Sequence, residues 1–237
     1  MKKQFATTMV LLGMILAGCQ ENENASSETT TSSQTESTES HVESHEHNHE
    51  YDHNAEKQKE IYSGIFEDDE VEDRELSDWE GDWQSVYPYL LDGTLDEVLK
   101  KKAETKKDKT FEEYKEYYKI GYETDIERIV IKDDTMTFYR NGEGKTGKYK
   151  YHGYEILTYE AGNRGVRYLF DLVDGEEGVP KHVQFSDHNI YPTKSHHFHI
   201  YFGDADHETL LKELENWPTY YFSHLSGEEI AEEMMAH

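Results

Sequence analysis

DIERIVIKDDTMTFYRNGEGKTGKYKYHGYEILTYEAGNRGVRYLFDLVDGEEGVPKHVQFSDHNIYPTKSHHFHIYF, residues 125–202, is the stretch that decides the fold. Along it apolar side chains recur largely at every second position: Ile129 and Ile131, Met136 and Phe138, Tyr149 and Tyr151, Val166, Tyr168 and Phe170, Val183 and Phe185, Phe198 and Ile200. A period of two marks strands with one buried face, because successive side chains leave opposite sides of the pleat. Ile156-Leu157 adds a less regular run. Asp133-Asp134, Asn141-Gly142, His152-Gly153, Ala161-Gly162-Asn163, Asp174-Gly175 and a connection through Pro192 separate the runs and predict turns. With one more strand opening at Gly81-Asp82-Trp83, the count reaches about eight antiparallel strands, which either close into a barrel or pack as a sandwich.

The last two runs, Lys181 to Phe202, also hold the grouping of metal-capable side chains whose geometry follows from spacing. His197 and His199 stand at i and i+2, so in a strand both imidazoles share a face. His188 ends the preceding run, and residues 189–195, with Pro192 among them, form a connection able to return it beside the pair. Neutral imidazole suits zinc, and three protein ligands leave a fourth position for water, a partner or another residue. One histidine in a hairpin is usually just an exposed polar residue; three at this spacing favour metal. His196 should face away from His197, and His152, His182, His207, His224 and His237 read as exposed or locally hydrogen-bonded rather than as ligands. Asp187 neighbours His188 but should point the opposite way, which argues against its orienting that imidazole.

Outside this sheet, residues 77–80 have the spacing of a capping box for a short turn. Thr94 to Glu97 and Thr110 to Glu113 have it too, the first opening a Lys-rich helix over residues 95–101 and the second an amphipathic helix through Tyr114, Tyr117 and Tyr118. The tail returns to helix: Leu210, Leu211, Leu214 and Trp217 share one face before Pro218, and Ser226 with Glu229 caps a final acidic helix.

Residues 1–57 are a different material. Lys2 and Lys3, an apolar run from Val10 to Leu16 and small residues up to Gly18 form a secretory signal layout over residues 1–18, too short to span a membrane as a mature helix. Leu16-Ala17-Gly18-Cys19 resembles the lipobox of bacterial lipoproteins, which predicts cleavage before Cys19 and a lipid anchor on it. Cys19 is the sole cysteine, so no intrachain disulfide can form. Residues 19–57 then lack the apolar side chains needed to offset ordering entropy, and we expect a disordered tether with a reach on the order of 35 Å. Its second half carries His41, His45, His47, His49 and His53 among acidic residues, a composition suited to auxiliary, weak metal capture. The folded domain is expected over residues 58–237. Formal net charge is -27, with 51 acidic against 24 basic residues and no basic patch, which argues against a nucleic-acid partner.

The residues Ser77 to Pro88 (SDWEGDWQSVYP), Gly121 to Glu127 (GYETDIE), Gly165 to Phe170 (GVRYLF), Gln184 to His188 (QFSDH), His197-Phe198-His199 and Glu215 to Tyr221 (ENWPTYY) together resemble the ZinT (YodA) family. The likeness runs from Ile61 to His237. It implies a mainly β fold, a lipocalin-like (calycin) antiparallel β-barrel with added α-helices, of the kind also found at the C-terminus of AdcA-type zinc lipoproteins. It further implies zinc binding by His188, His197 and His199 and zinc capture in support of an ABC-type importer; no enzymatic activity is expected. Some relatives carry a cysteine pair that this chain lacks, and no solute-binding module accompanies the domain here, so a separate importer substrate-binding protein is the inferred delivery partner. The signal layout and lipobox place the protein on the outer face of the cell membrane, as in a Gram-positive bacterium. Cadmium or other divalent ions would suit the same donors. Two rival functions follow from the same residues: a zinc hydrolase using the open three-histidine site, for which no HExxH pattern or clear general acid is present, and a lipocalin-type binder of small ligands.

Overall fold

The computed structural model describes residues 56–159 and 162–236. The signal layout of residues 1–18, Cys19, the histidines His41, His45, His47, His49 and His53, and His237 lie outside the described residues.

Eight antiparallel strands, β1 (Gly81–Ser85), β2 (Arg128–Lys132), β3 (Thr135–Arg140), β4 (Glu143–Thr158), β5 (Arg164–Gly175), β6 (His182–Ser186), β7 (His197–Gly203) and β8 (Thr219–Phe222), each pair with the next. β8 returns to β1 through Trp83 opposite Phe222, Gln84 opposite Tyr221 and Ser85 opposite Tyr220, so the sheet closes into a barrel. Closure leaves no sheet edge to be covered. The alternating residues fill the lumen: Ile129, Ile131, Met136, Phe138, Phe170, Val183, Phe185, Phe198, Ile200 and Tyr220 belong to one buried cluster. Trp79 completes it, stacked on Phe185 with centroids 4.9 Å apart, and its carbonyl accepts the Trp83 indole N–H at 2.8 Å. Between β3 and β4 the Asn141-Gly142 pair takes φ of 51° and 78°, the left-handed values that a two-residue hairpin demands.

The strands differ from expectation in two places. His152-Gly153 is no turn: the runs at Tyr149 and Ile156 belong to the single long β4, whose register against β5 slips between Tyr151 and Gly153. The eighth strand is instead Thr219–Phe222, which lacks alternation because it is covered on both faces, Tyr220 by the lumen and Tyr221 by helices.

Those helices are α2 (Tyr87–Leu91), α3 (Asp96–Lys106), α4 (Phe111–Tyr122) and α6 (Gly227–Ala236). Their Leu90, Leu99, Tyr114, Tyr122 and Ile230 side chains, with Leu95 just before α3, form a second buried cluster with Tyr221 on the outer wall. Thr110 and Glu113 cap α4 reciprocally, and Ser226 and Glu229 cap α6, as their spacing predicts. The other two boxes fail: Thr94 bonds back to Asp92 while Leu95 occupies the N-cap of α3, and Ser77 lies inside a 3-10 turn, Leu76–Trp79. The expected helix through Leu214 and Trp217 stops after one turn, α5 (His207–Leu210), because the Arg167 guanidinium takes the carbonyls of Leu210 and Glu213 at 2.8 and 2.5 Å. Leu214 is accordingly 56% exposed. Residues 56–62 are helical (α1) and lie against the segment that follows β6, where Gln58 donates to the Asn189 side chain at 3.2 Å.

Candidate metal centre

Because Phe198 and Ile200 face the lumen, His197 and His199 project from the outer wall of β7, toward the helices. His188 meets them from the connection after β6. Ring centroids of His188 lie 5.8 Å from His197 and 5.4 Å from His199, and those of His197 and His199 are 6.0 Å apart. One ring nitrogen from each of the three histidines can be chosen so that all lie within 4.8 Å of one another. Tetrahedral zinc with N at ~2.0–2.1 Å holds its ligand nitrogens ~3.3 Å apart, so modest ring movements complete the set.

Each ring is held from behind. His199 Nδ1 stands 2.7 Å from the Thr219 hydroxyl, which itself donates to the Trp217 carbonyl at 3.0 Å. With its proton so engaged, Thr219 accepts Nδ1–H from His199, and the lone pair left on Nε2 is the one a cation needs. Burial first, then the neighbouring His188 and His197, push the His199 imidazole well below its ordinary pKa, which keeps it neutral. His197 lies flat on Tyr221, centroids 5.0 Å apart at 10°. Tyr62 of α1 stacks on His188 at 4.4 Å.

His188 itself sits at φ +63°, in the left-handed region that a non-glycine residue rarely adopts. What enforces this is a buried ion pair. Arg74 donates to both Asp187 oxygens, at 2.6 and 3.0 Å, and further to Asp78 at 2.9 Å and the Thr193 carbonyl at 2.8 Å. Asp187 in turn accepts the Asn189 amide at 3.2 Å, closing a turn around His188. Asp187 therefore points away from the His188 imidazole, as alternation predicts, and acts through the backbone. Sequence reasoning passed over Arg74 and Thr219; Arg74 sits in the charged run Glu72-Asp73-Arg74-Glu75, which reads as a solvated surface and gives no signal of burial.

The three rings line a groove of about 360 Å³ walled by Leu95, Leu99, Tyr118, Tyr122 and Met234. Lys102 stands in its lining and donates to the Tyr118 hydroxyl at 2.6 Å. Among the described residues, no carboxylate lines it. His196 is exposed and turned away, as expected. His152, His182 and His207 gather around Asp171; His152 is exposed and hydrogen-bonded, within the expectation, whereas His207 is buried.

The described fold has close likenesses among solved structures. The crystal structure of the Zn(II)-bound ZinT-like domain of Streptococcus pneumoniae AdcA superposes with a TM-score of 0.72 at 55% identity, covering 74% of this chain and 97% of that one. Zn(II)-bound AdcA from the same organism gives 0.73 at 55% identity, over 75% of this chain and 38% of that one. Among curated sequences, the probable metal-binding protein YrpE of Bacillus subtilis is 62% identical over 119 residues, 50% of this chain and 47% of its own length. The zinc-binding lipoprotein AdcA of Streptococcus pneumoniae R6 is 57% identical over 117 residues, 49% of this chain and 23% of its own length. The matched region thus spans about half of the first relative and a quarter of the second. The family model described as ZinT (YodA) periplasmic lipocalin-like zinc-recruitment matches residues 57–237, and the chain belongs to that family.

Proposed function

We propose that the protein captures zinc as cargo at His188, His197 and His199 and gives it up to a zinc-uptake system. The observation that carries this reading is the convergence of three imidazoles, with donor atoms within 4.8 Å, in a groove open to a fourth ligand. All-imidazole coordination supplies affinity without the charge of a thiolate site, and the open fourth position lets an incoming ligand take over the ion stepwise. The Zn(II)-bound state of the AdcA structures and the zinc-binding name of the AdcA relatives support it. Cadmium and other borderline divalent ions would enter the same donor set.

Hydrolysis is the weaker reading, because proton transfer at a metal-bound water needs a base or shuttle beside it, and beyond the three imidazoles the described lining is aromatic and aliphatic apart from Lys102 and Thr219. The lipobox ending at Cys19 supports an exported, lipid-anchored location on the outer cell surface, and the lipoprotein name of AdcA supports it further. Delivery to the substrate-binding protein of an ABC importer, with His41 to His53 as an auxiliary capture tract, follows from that placement. Competition titration of zinc against a chelator tests the site. Replacing His188, His197 and His199 together by alanine should abolish tight binding; an unchanged affinity in that variant would refute the assignment.

A further inference from the structure

On a different part of the outer wall, three other imidazoles surround one carboxylate. Asp171 follows the lumen-facing Phe170 on β5, so its side chain points outward. His182 stands directly across the β5–β6 pairing, its Nε2 3.8 Å from Asp171 Oδ1. The β4 irregularity supplies His152: Tyr151 opposes Phe170 and Gly153 opposes Leu169, which leaves His152 as the extra, bulged residue. Its Nδ1 lies 2.8 Å from Asp171 Oδ2. His207, the first residue of α5, is 9% exposed and sets Nε2 3.2 Å from Asp171 Oδ1.

We infer that His152, Asp171 and His207 form a second divalent-cation site, weaker than the groove and separate from it, with His182 close enough to join. Their ligand atoms lie within 4.8 Å of one another, and the His182 and His207 ring centroids are 4.7 Å apart. Two or three imidazoles with one carboxylate is a zinc-type donor set. The weakness has a structural cause. The Gln184 amide nitrogen donates to the His207 carbonyl at 3.1 Å and lies 3.2 Å from His207 Nδ1, while Gln184 Oε1 accepts from Arg167 at 3.3 Å. This arrangement makes His207 Nδ1 the acceptor and leaves the ring proton on Nε2, facing Asp171. An entering cation must take the place of that proton, and the neutral ring must then carry a proton on Nδ1, where Gln184 presents a donor. Binding therefore costs a rearrangement that the groove, with Thr219 already accepting from His199, does not require. β6 runs from His182 to Ser186, two residues short of His188, so a strand of roughly 16 Å separates the two sites.

Zinc titration of the full chain, followed by two-bond 1H–15N correlation spectra of the histidine rings, tests this. Once the groove rings have stopped changing, His152 and His207 should move together to metal-bound positions, at a midpoint at least tenfold higher in free zinc. The same movement should persist when His188, His197 and His199 are alanine, which keeps this test independent of the groove assignment. His152 is exposed, so His152→Ala leaves the core untouched; with Asp171→Asn it should abolish the His207 response while the groove still fills. His152 and His207 signals that stay fixed in excess zinc, or a His207 response undiminished in the double variant, would overturn the second site.

Discussion

Replacing Arg74 by methionine should unsettle both the fold and the metal centre, by a calculable route. The Arg74 and Asp187 side chains are each 0% exposed, so solvent does not screen their pairing. Removing the guanidinium leaves the Asp187 carboxylate buried with only the Asn189 amide as a described donor, and frees Asp78 and the Thr193 carbonyl of their Arg74 bonds. Breaking one side of a buried pair costs about 3–5 kcal/mol, a large part of the ~5–15 kcal/mol that holds a typical domain together. Replacing both partners, Arg74→Met with Asp187→Leu, removes the stranded charge and should recover most of that loss. Zinc affinity should not recover with it. The turn that holds His188 at φ +63° needs Asp187 held in place by Arg74, so in both variants one ligand is misplaced and affinity falls at least tenfold, about 1.4 kcal/mol. Urea denaturation of the zinc-free proteins and chelator competition read the two effects separately. A single variant that loses under ~1 kcal/mol would refute the cost of the stranded charge, and a double variant that binds zinc as tightly as the parent would show that the ion pair does not position His188.

Three further outcomes are expected. Thr219→Val keeps the shape of a buried residue but removes the acceptor for His199 Nδ1–H; zinc affinity in the same titration should drop about 10–100-fold with little change in the urea midpoint. The His199 and His207 imidazoles both lie below their ordinary pKa, chiefly through burial, so between the folded value and the unfolded value near ~6.5 the unfolded chain binds more protons. Stability of the zinc-free protein is therefore full above ~6.5 and declines as pH falls below it, and His199→Gln should flatten that decline in a pH series of urea melts. Deleting residues 41–53 should slow zinc loading and reduce weakly bound metal while leaving the tight dissociation constant nearly unchanged, as stopped-flow and equilibrium dialysis can measure; a tenfold weaker tight site would instead make a tract histidine the fourth ligand.

Most of the barrel was legible because one face of each strand is buried, which imposes period two on the residues of β2, β3, β5, β6 and β7. Where that condition lapses, legibility lapses too. β8 is covered on both sides and shows no alternation, and the bulge at His152-Gly153 carries the same His-Gly signal as a turn, since both use a glycine at positive φ, here +142°. The helix expected through Leu214 had the right periodicity but not the right competitor: Arg167, distant in sequence, satisfies the carbonyls that a continuing helix would use. Within the centre, His197 and His199 were placed by local spacing, and His188 by a short return. Arg74 and Thr219 act over separations of 113 and 20 residues, and the Asp171 cluster draws on four separate segments, so no local pattern announces them.

Anomalous scattering at the zinc edge, from crystals of the full chain grown with zinc, locates the captured ion. A strong peak is expected between His188, His197 and His199, with one nitrogen of each ring at ~2.0–2.1 Å from the ion and His199 coordinated through Nε2 while Nδ1 stays on Thr219. Strong zinc peaks elsewhere with none among these three rings would contradict it.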